Sequence, residues 1–251
     1  MKKLILLTLL LLPLLTFSQT QLGSDIDGEA ASDQSGYSVS IDSDGSHVAI
    51  GAIQNDGTAH NAGHVRIFEY SSSSWNQVGN DIDGETTWDQ SGYSVSIDSD
   101  GSHVAIGATG NDGNGSLAGH VRIYSWDGTN WTQVGSDIDG EAASDYSGVS
   151  VSIDSDGSHV AIGAYGNDGN GSDSGHVRIY SWDGSAWNQL GNDIDGEAAG
   201  DYSGYSVSID SDGSHVAIGA YANDGGGNNS GHVRIYEYSS GSWSQVGNDI
   251  D

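Results

Sequence analysis

Tyr37-Ser-Val-Ser-Ile41, Asp42-Ser-Asp-Gly-Ser46 and His47-Val-Ala-Ile-Gly-Ala52 follow one another without a gap, and together they decide the fold. The first stretch alternates strictly, with Tyr37, Val39 and Ile41 on one face and Ser38 and Ser40 on the other, which is the period of a strand. Asp44-Gly45 tolerates positive φ and suits a tight hairpin. The third stretch is a second strand, with Val48, Ile50 and Ala52 opposite His47, Ala49 and Gly51.

The same sixteen positions return at 93–108, 149–164 and 205–220, a fixed step of 56 residues. Gln21-Leu-Gly-Ser-Asp-Ile-Asp-Gly-Glu29 keeps the same step at Gln77, Gln133 and Gln189, and Gln245 begins a fifth copy. A long fixed period means one supersecondary unit copied several times. Within each copy two more strands follow. His64-Val-Arg-Ile-Phe-Glu-Tyr70 is rich in β-branched and aromatic residues. Trp75-Asn-Gln-Val78 is shorter, and in the middle copies it follows an Asp-Gly bend flanked by Trp126 and Trp131 or by Trp182 and Trp187. No helical period survives for three turns.

The expectation is an all-β chain, a β-propeller of four four-stranded antiparallel blades at 37–79, 93–135, 149–191 and 205–247. They either close as a four-bladed ring or form an arc of a larger propeller. A bulky face and a small face on the first two strands suit blades stacked flank to flank. A solenoid would need shorter repeats with parallel strands.

Met1 to Ser18 reads as a signal peptide: Lys2 and Lys3 precede the apolar run Leu4–Phe17, which is too short to span a membrane comfortably. The propeller domain is therefore 19–251, secreted or on the cell surface, with no transmembrane anchor once the leader is removed. Beyond that leader four Arg face 35 acidic residues, a formal charge of −31 against −29 for the whole chain. Such a surface repels nucleic acid and attracts cations or basic partners. The absence of Cys excludes disulfides and thiolate metal sites.

At Ser35-Gly-Tyr-Ser-Val39 and His47-Val-Ala-Ile-Gly-Ala52 the unit resembles the FG-GAP repeat of integrin alpha subunits and many secreted bacterial surface proteins. Gly36, Ser38, Val39, Gly51 and Ala52 match that pattern, whereas Ser35 stands for Phe, and Ile53, Thr109, Tyr165 and Tyr221 stand for Pro. The resemblance implies a propeller used for adhesion or ligand binding, with calcium in the turn between the first two strands. Carried onto this chain, that turn offers Asp42 and Asp44, then Asp98/Asp100, Asp154/Asp156 and Asp210/Asp212. Ser40 and Val48 fall where further carboxylates belong, and calcium wants six to eight oxygens. Ordinary Asp-Gly turn chemistry accounts for the same residues.

The linker before each blade is better supplied with carboxylates. Asp25, Asp27, Glu29 and Asp33 alternate around a Gly bend and could wrap a hard cation. The set recurs as Asp81, Asp83, Glu85, Asp89; as Asp137, Asp139, Glu141, Asp145; and as Asp193, Asp195, Glu197, Asp201. Calcium is thus the candidate cofactor, with a solvated acidic loop as the alternative. Strand alternation puts these linkers on one rim with Asn55-Asp56, Asn111-Asp112, Asn167-Asp168 and Asn223-Asp224, an acidic face suited to docking.

Histidines at both ends of every blade, repeated in each copy, suit strand ends better than one catalytic site, and no nucleophile elbow, phosphate loop or zinc spacing occurs. The sequence expectation is a non-enzymatic binding or adhesion propeller, with an extracellular protein or glycan as partner and self-association as a way to complete the ring. The alternatives are a structural surface repeat without a ligand, and a carbohydrate-active hydrolase or lyase using rim carboxylates.

Overall fold

The structure is a computed structural model and describes residues 20–251; the leader lies outside the described residues. The first blade comprises β1 (Ser35–Ile41), β2 (His47–Ala52), β3 (His64–Ser71) and β4 (Ser74–Gln77), paired antiparallel in chain order, followed by β5 (Ile82–Asp83). β5 pairs with the start of β3 and so continues the outer edge where β4 leaves off. Blade two has β6 (Ser94–Ile97), β7 (His103–Ala108), β8 (His120–Trp126), β9 (Trp131–Gln133) and β10 (Ile138–Asp139). Blade three repeats it with β11 (Ser150–Ile153), β12 (His159–Ala164), β13 (His176–Trp182), β14 (Trp187–Gln189) and β15 (Ile194–Asp195). Blade four has β16 (Ser203–Ile209), β17 (His215–Ala220), β18 (His232–Ser239) and β19 (Ser242–Gln245). No helix occurs among the described residues.

Each hairpin forms as its residues dictate. In β1–β2, Val39 faces Ile50 and Ile41 faces Val48 across the ladder. Gly45 takes a φ of 78° in the turn, a conformation that costs glycine little. The split outer edge was not expected: Asp83, Asp139 and Asp195, the second Asp of their linkers, pair with His64, His120 and His176, which start the third strands. That pairing matters below, because it pins the acidic linker to the rim.

The core does not lie inside the blades but between them. One apolar cluster joins Ala49, Val65, Ile67 and Ile82 of blade one to Val95, Ile97, Val104, Ile106 and Tyr124 of blade two. Two further clusters join blades two and three, and blades three and four, through the equivalent residues. Fully burying one such side chain is worth about 1.5–3 kcal/mol, so each interface is a substantial part of the stability. The small face is what lets the sheets come this close. A Cβ on Gly51 would collide with the carbonyl oxygen of Gly92, and one on Gly107 with that of Gly148. Ser38 Oγ donates to Gly92 O at 2.6 Å, Ser94 Oγ to Gly148 O at 2.7 Å, and Ser150 Oγ to Gly204 O at 2.8 Å.

The stacking is propeller-like, but closure is not seen. The bulky flank of blade one stays open, with Tyr37, Val39 and Ile41 exposed, and blade four exposes Tyr221, Val233 and Ile250. The molecule is an arc of four blades.

Candidate functional site

The rim where first strands begin and second strands end gathers most of the chemistry. Its turns are built from the predicted acidic residues, and most of their oxygens are already committed. Asp33 is buried, accepts from Ala30 N and from Asn55 Nδ2, both at 3.0 Å, and so ties the linker to the Asn-Asp-Gly loop. Asp89, Asp145 and Asp201 do the same with Asn111, Asn167 and Asn223. Asn55 Oδ1 accepts from Gly57 N at 2.8 Å, and Asp56 Oδ1 from Asn61 N at 2.7 Å; Asp112, Asp168 and Asp224 hold their loops alike. The main-chain oxygens of Asp27, Asp83, Asp139 and Asp195 accept from Arg66, Arg122, Arg178 and Arg234, each at 2.7 Å. Asp25, Asp81, Asp137 and Asp193 each accept from a Gln side chain four residues earlier.

The turn at the opposite rim is similarly occupied. Asp42, Asp98, Asp154 and Asp210 accept from His47, His103, His159 and His215 Nδ1 at 2.7–2.9 Å. Asp44, Asp100, Asp156 and Asp212 accept from the following Ser amide. The hydrogen bond it donates to Asp98 holds the His103 imidazole above its ordinary pKa, and the one to Asp154 does the same for His159.

What the sequence did not put together is a histidine with two carboxylates from different linkers. His64 begins β3 and is buried. Its Nδ1 lies 3.9 Å from Glu29 Oε2, in the linker before the blade, and 3.8 Å from Asp81 Oδ2, in the linker after it. The group recurs as Glu85–His120–Asp137, Glu141–His176–Asp193 and Glu197–His232–Asp249, four sets of metal-ligating type. Within a single linker the four carboxylates point to different partners, so it is the neighbouring linkers, bridged by His, that converge. Asp249 belongs to the partial fifth repeat, and the four His were read only as strand ends. The signal available was the one-repeat offset: β5 brings Asp81 back beside His64.

Burial drives the imidazoles of His64, His120 and His176 toward the neutral form, with His176 lowered to about 4. Burial also pushes the Glu85 and Glu141 carboxyls up, against the pull of Arg122 and Arg178. Arg66, Arg122, Arg178 and Arg234 each stack on the aromatic ring two residues on and face the Glu of the group at 3.7–3.9 Å.

Beside these groups lie four similar cavities of 240–280 Å³. The first-blade one, 240 Å³, is lined by Asp25, Asp27, Arg66, Phe68 and Trp75; the largest has Asp137, Asp139, Tyr180 and Trp187. The tryptophan is fixed by Nε1 donating to the preceding repeat: Trp187 to Val134 O at 2.8 Å, Trp131 to Val78 O at 2.9 Å.

One rim feature breaks the fourfold pattern. Tyr146 stacks on Tyr165 at 5.1 Å, Tyr202 on Tyr221 at 5.4 Å, and Tyr205 lies edge-on to Tyr221 at 4.8 Å, so blades three and four share a tyrosine wall. Burial pushes the Tyr165 hydroxyl up to about 12. Its sequence signal was the Tyr at 165 and 221 where the first two copies have Ile53 and Thr109.

A propeller arc whose blades carry one acidic rim motif each is the class that fold and site define. Residues 136–180 and 194–236 match the FG-GAP repeat family model, so the chain carries FG-GAP repeats. No curated protein matches the chain. Among solved structures it is similar to a protein assigned as a 6-phosphogluconolactonase from Bacteroides uniformis ATCC 8492, with 10% identity and a TM-score of 0.55, over 85% of this chain and 54% of that one. It is also similar to the periplasmic gluconolactonase PpgL of Pseudomonas aeruginosa, with 12% identity and a TM-score of 0.54, over 85% and 56%. The chain spans about half the length of these proteins. At such identity the likeness establishes the propeller fold.

It also corrects the expectation of a non-enzymatic adhesion module. Propellers of this build include lactonases, so the reasoning from a repeated propeller to an absence of catalysis fails. The physical flaw was to treat fourfold recurrence as evidence against a reaction site, although the rim holds repeated clefts with convergent acids and also an asymmetric tyrosine wall. Among the described residues no helix is long and apolar enough to cross a membrane.

Proposed function

We propose that the protein is a secreted hydrolase that opens lactones or esters of sugar derivatives in the rim cavities. The observation that carries this reading is the cavity itself. Two linker carboxylates, an Arg side chain and a fixed Trp meet in a space of 240 Å³ at blade one. An indole face stacks well on the apolar face of a sugar ring, while a few placed polar groups fix its orientation. A linker carboxylate takes a proton from water as the water oxygen adds to the acyl carbon. The Arg guanidinium faces the negative charge that gathers on the acyl oxygen, where a pre-set cation is most effective. The ring C–O bond then breaks, and the departing alkoxide takes a proton from a carboxylic acid, giving the open hydroxy acid. The lactonases among the similar structures support the substrate class.

Secretion is supported by the charged, apolar start of the chain, and an N-terminus at Gln19 in protein collected from culture medium would bear it out. The activity is tested by following acid release from glucono-lactones and aryl esters at constant pH. Exchanging Asp27, Asp83, Asp139 and Asp195 together for Asn keeps the Arg-accepting main-chain oxygens, and should lower the rate about a hundredfold or more, the usual contribution of a general base. Ring opening no faster than in buffer, across both substrate types, would overturn the proposal.

A further inference from the structure

We infer that each Glu–His–Asp group on the rim is a binding site for a divalent first-row transition cation, four to a chain. The spacing argues for it first. In His64 the Nδ1–oxygen separations are 3.9 and 3.8 Å, and in His232 3.7 and 3.8 Å. These are too long for hydrogen bonds. Two ligands about 2.1 Å from a common tetrahedral ion lie about 3.4 Å apart, so a contraction of a few tenths of an ångström brings each of these His–oxygen pairs to ligand spacing.

The pairing of the remaining atoms argues for it independently. Asp81 Oδ1 accepts from Gln77 Nε2 at 2.6 Å, and Glu29 turns Oε1 toward Arg66 at 3.8 Å. Each carboxylate thus has one oxygen held by the protein and the other turned to the histidine. Such outer partners orient ligands in metal sites. The histidines are almost wholly enclosed, and Nδ1 of His64, His176 and His232 is left without any hydrogen-bond partner. A buried imidazole nitrogen facing two anionic oxygens across an open gap is a group waiting for a cation. Imidazole among the donors favours zinc, copper, iron or nickel over calcium.

The inference does not depend on the hydrolase reading, since it is tested by binding alone. Zinc titrated calorimetrically into the metal-free protein should give about four sites, and His120→Gln should lower the count by one. If His120→Gln does not fold, Glu85→Gln, whose side chain is half exposed, removes a ligand at the same site and should weaken that site at least tenfold. Cobalt should bind with visible absorption bands that zinc abolishes. No zinc heat, an unchanged count in both variants, or calcium binding more tightly than zinc would each overturn the inference.

A second, separate observation concerns the open flanks. The geometry points to head-to-tail association of two copies of this chain through blade four of one and blade one of the other. The three internal interfaces supply the template. Ser40, Ser96 and Ser152 Oγ accept from the amides of Ile97, Ile153 and Ile209, all at 3.0 Å, and Ser99 Oγ reaches Ser155 O as Ser155 Oγ reaches Ser211 O. Blade four carries the same small face, with Ser206, Ser208 and Gly219 beside a 380 Å³ groove lined by Tyr205, Tyr221 and Val233. Blade one carries the matching bulky face, Tyr37, Val39 and Ile41, exposed. Sedimentation should show a mass of at least two chains at micromolar concentration, strengthened by salt that screens the acidic surfaces. Val39→Asp with Ile41→Asp should return one chain. A single-chain mass at every concentration and salt would overturn the proposal and leave the flanks to further repeats of one longer polypeptide.

Discussion

Val39 and Val95 hold the same place in successive repeats, inside nearly the same sequence, yet one is 64% exposed and the other 9%. Ile41 and Ile97 differ in the same way, 60% against 6%. The first blade and the second are alike as sheets and unlike as neighbours, because only the second has a small face pressed against its bulky one. What the contrast teaches is that burial here belongs to the interface and not to the blade. A repeat array of this sort stores its stability in nearest-neighbour contacts, and the two ends of the arc show what one blade looks like when a contact is missing.

That contrast is most sharply put at risk by deleting the same methyls in both places. Ile97→Ala should destabilise by about 3 kcal/mol, since it leaves a cavity between two close-packed sheets. In protein dilute enough to be a single chain, Ile41→Ala should change stability by less than about 0.5 kcal/mol, as an exposed substitution does. Chemical unfolding of the two variants side by side checks it, and equal effects would mean that the flank of blade one is covered. The glycine pair gives a smaller but cleaner reading. Gly107→Ala drives a methyl into the main chain of blade two's neighbour and should cost about 2 kcal/mol. At Gly219 the added methyl meets only the Ser206 hydroxyl of its own hairpin, which can rotate away, so Gly219→Ala should cost less than 1 kcal/mol.

The blades themselves were readable from Tyr37 to Ala52, since strict alternation, an Asp-Gly bend and a small face leave little choice of structure. The FG-GAP resemblance at Gly36, Ser38 and Gly51 pointed to the same fold. The site was less legible for a reason of geometry. Glu29 and Asp81 are 52 residues apart, and only the pairing of Asp83 with His64 across the outer edge brings them to one nitrogen. Local spacing grouped Asp25, Asp27, Glu29 and Asp33 instead, and turn hydrogen bonds claim Asp33 while Asp25 is held by Gln21. The expectation of a non-catalytic protein came from sameness between copies, which says nothing about what any one rim cavity can do.

Serine-to-carbonyl bonds across the interfaces refine the comparison further. Ser94 Oγ donates to Gly148 O in the next blade, whereas Ser206, its equivalent in blade four, has no blade beyond it. Ser94→Ala leaves that carbonyl short of a donor and should cost about 1 kcal/mol, a typical net value for one hydrogen bond. Ser206→Ala should cost almost nothing. If the two chains associate as inferred above, the Ser206→Ala cost should grow with protein concentration.

The smallest effect expected is the part of the pH dependence that arises in the inner hairpins. His103 and His159 have folded pKa values raised, chiefly by their hydrogen bonds to Asp98 and Asp154, and Asp156 and Asp212 of the next blade act in the same direction. A folded value above the unfolded one, about 6.5 for His, means the native state holds the proton longer. The resulting stabilisation is complete below the unfolded pKa and is lost as pH rises through the folded one. Unfolding midpoints should therefore decline as pH rises above about 6.5, and His103→Gln with His159→Gln should flatten that decline. In blade four the pair His215–Asp210 is exposed on both sides, 44% and 38%, so water screens that ion pair and it contributes little to stability. A slope left unchanged by that double exchange would show that the hydrogen bonds to Asp98 and Asp154 do not hold the protons of the inner hairpins.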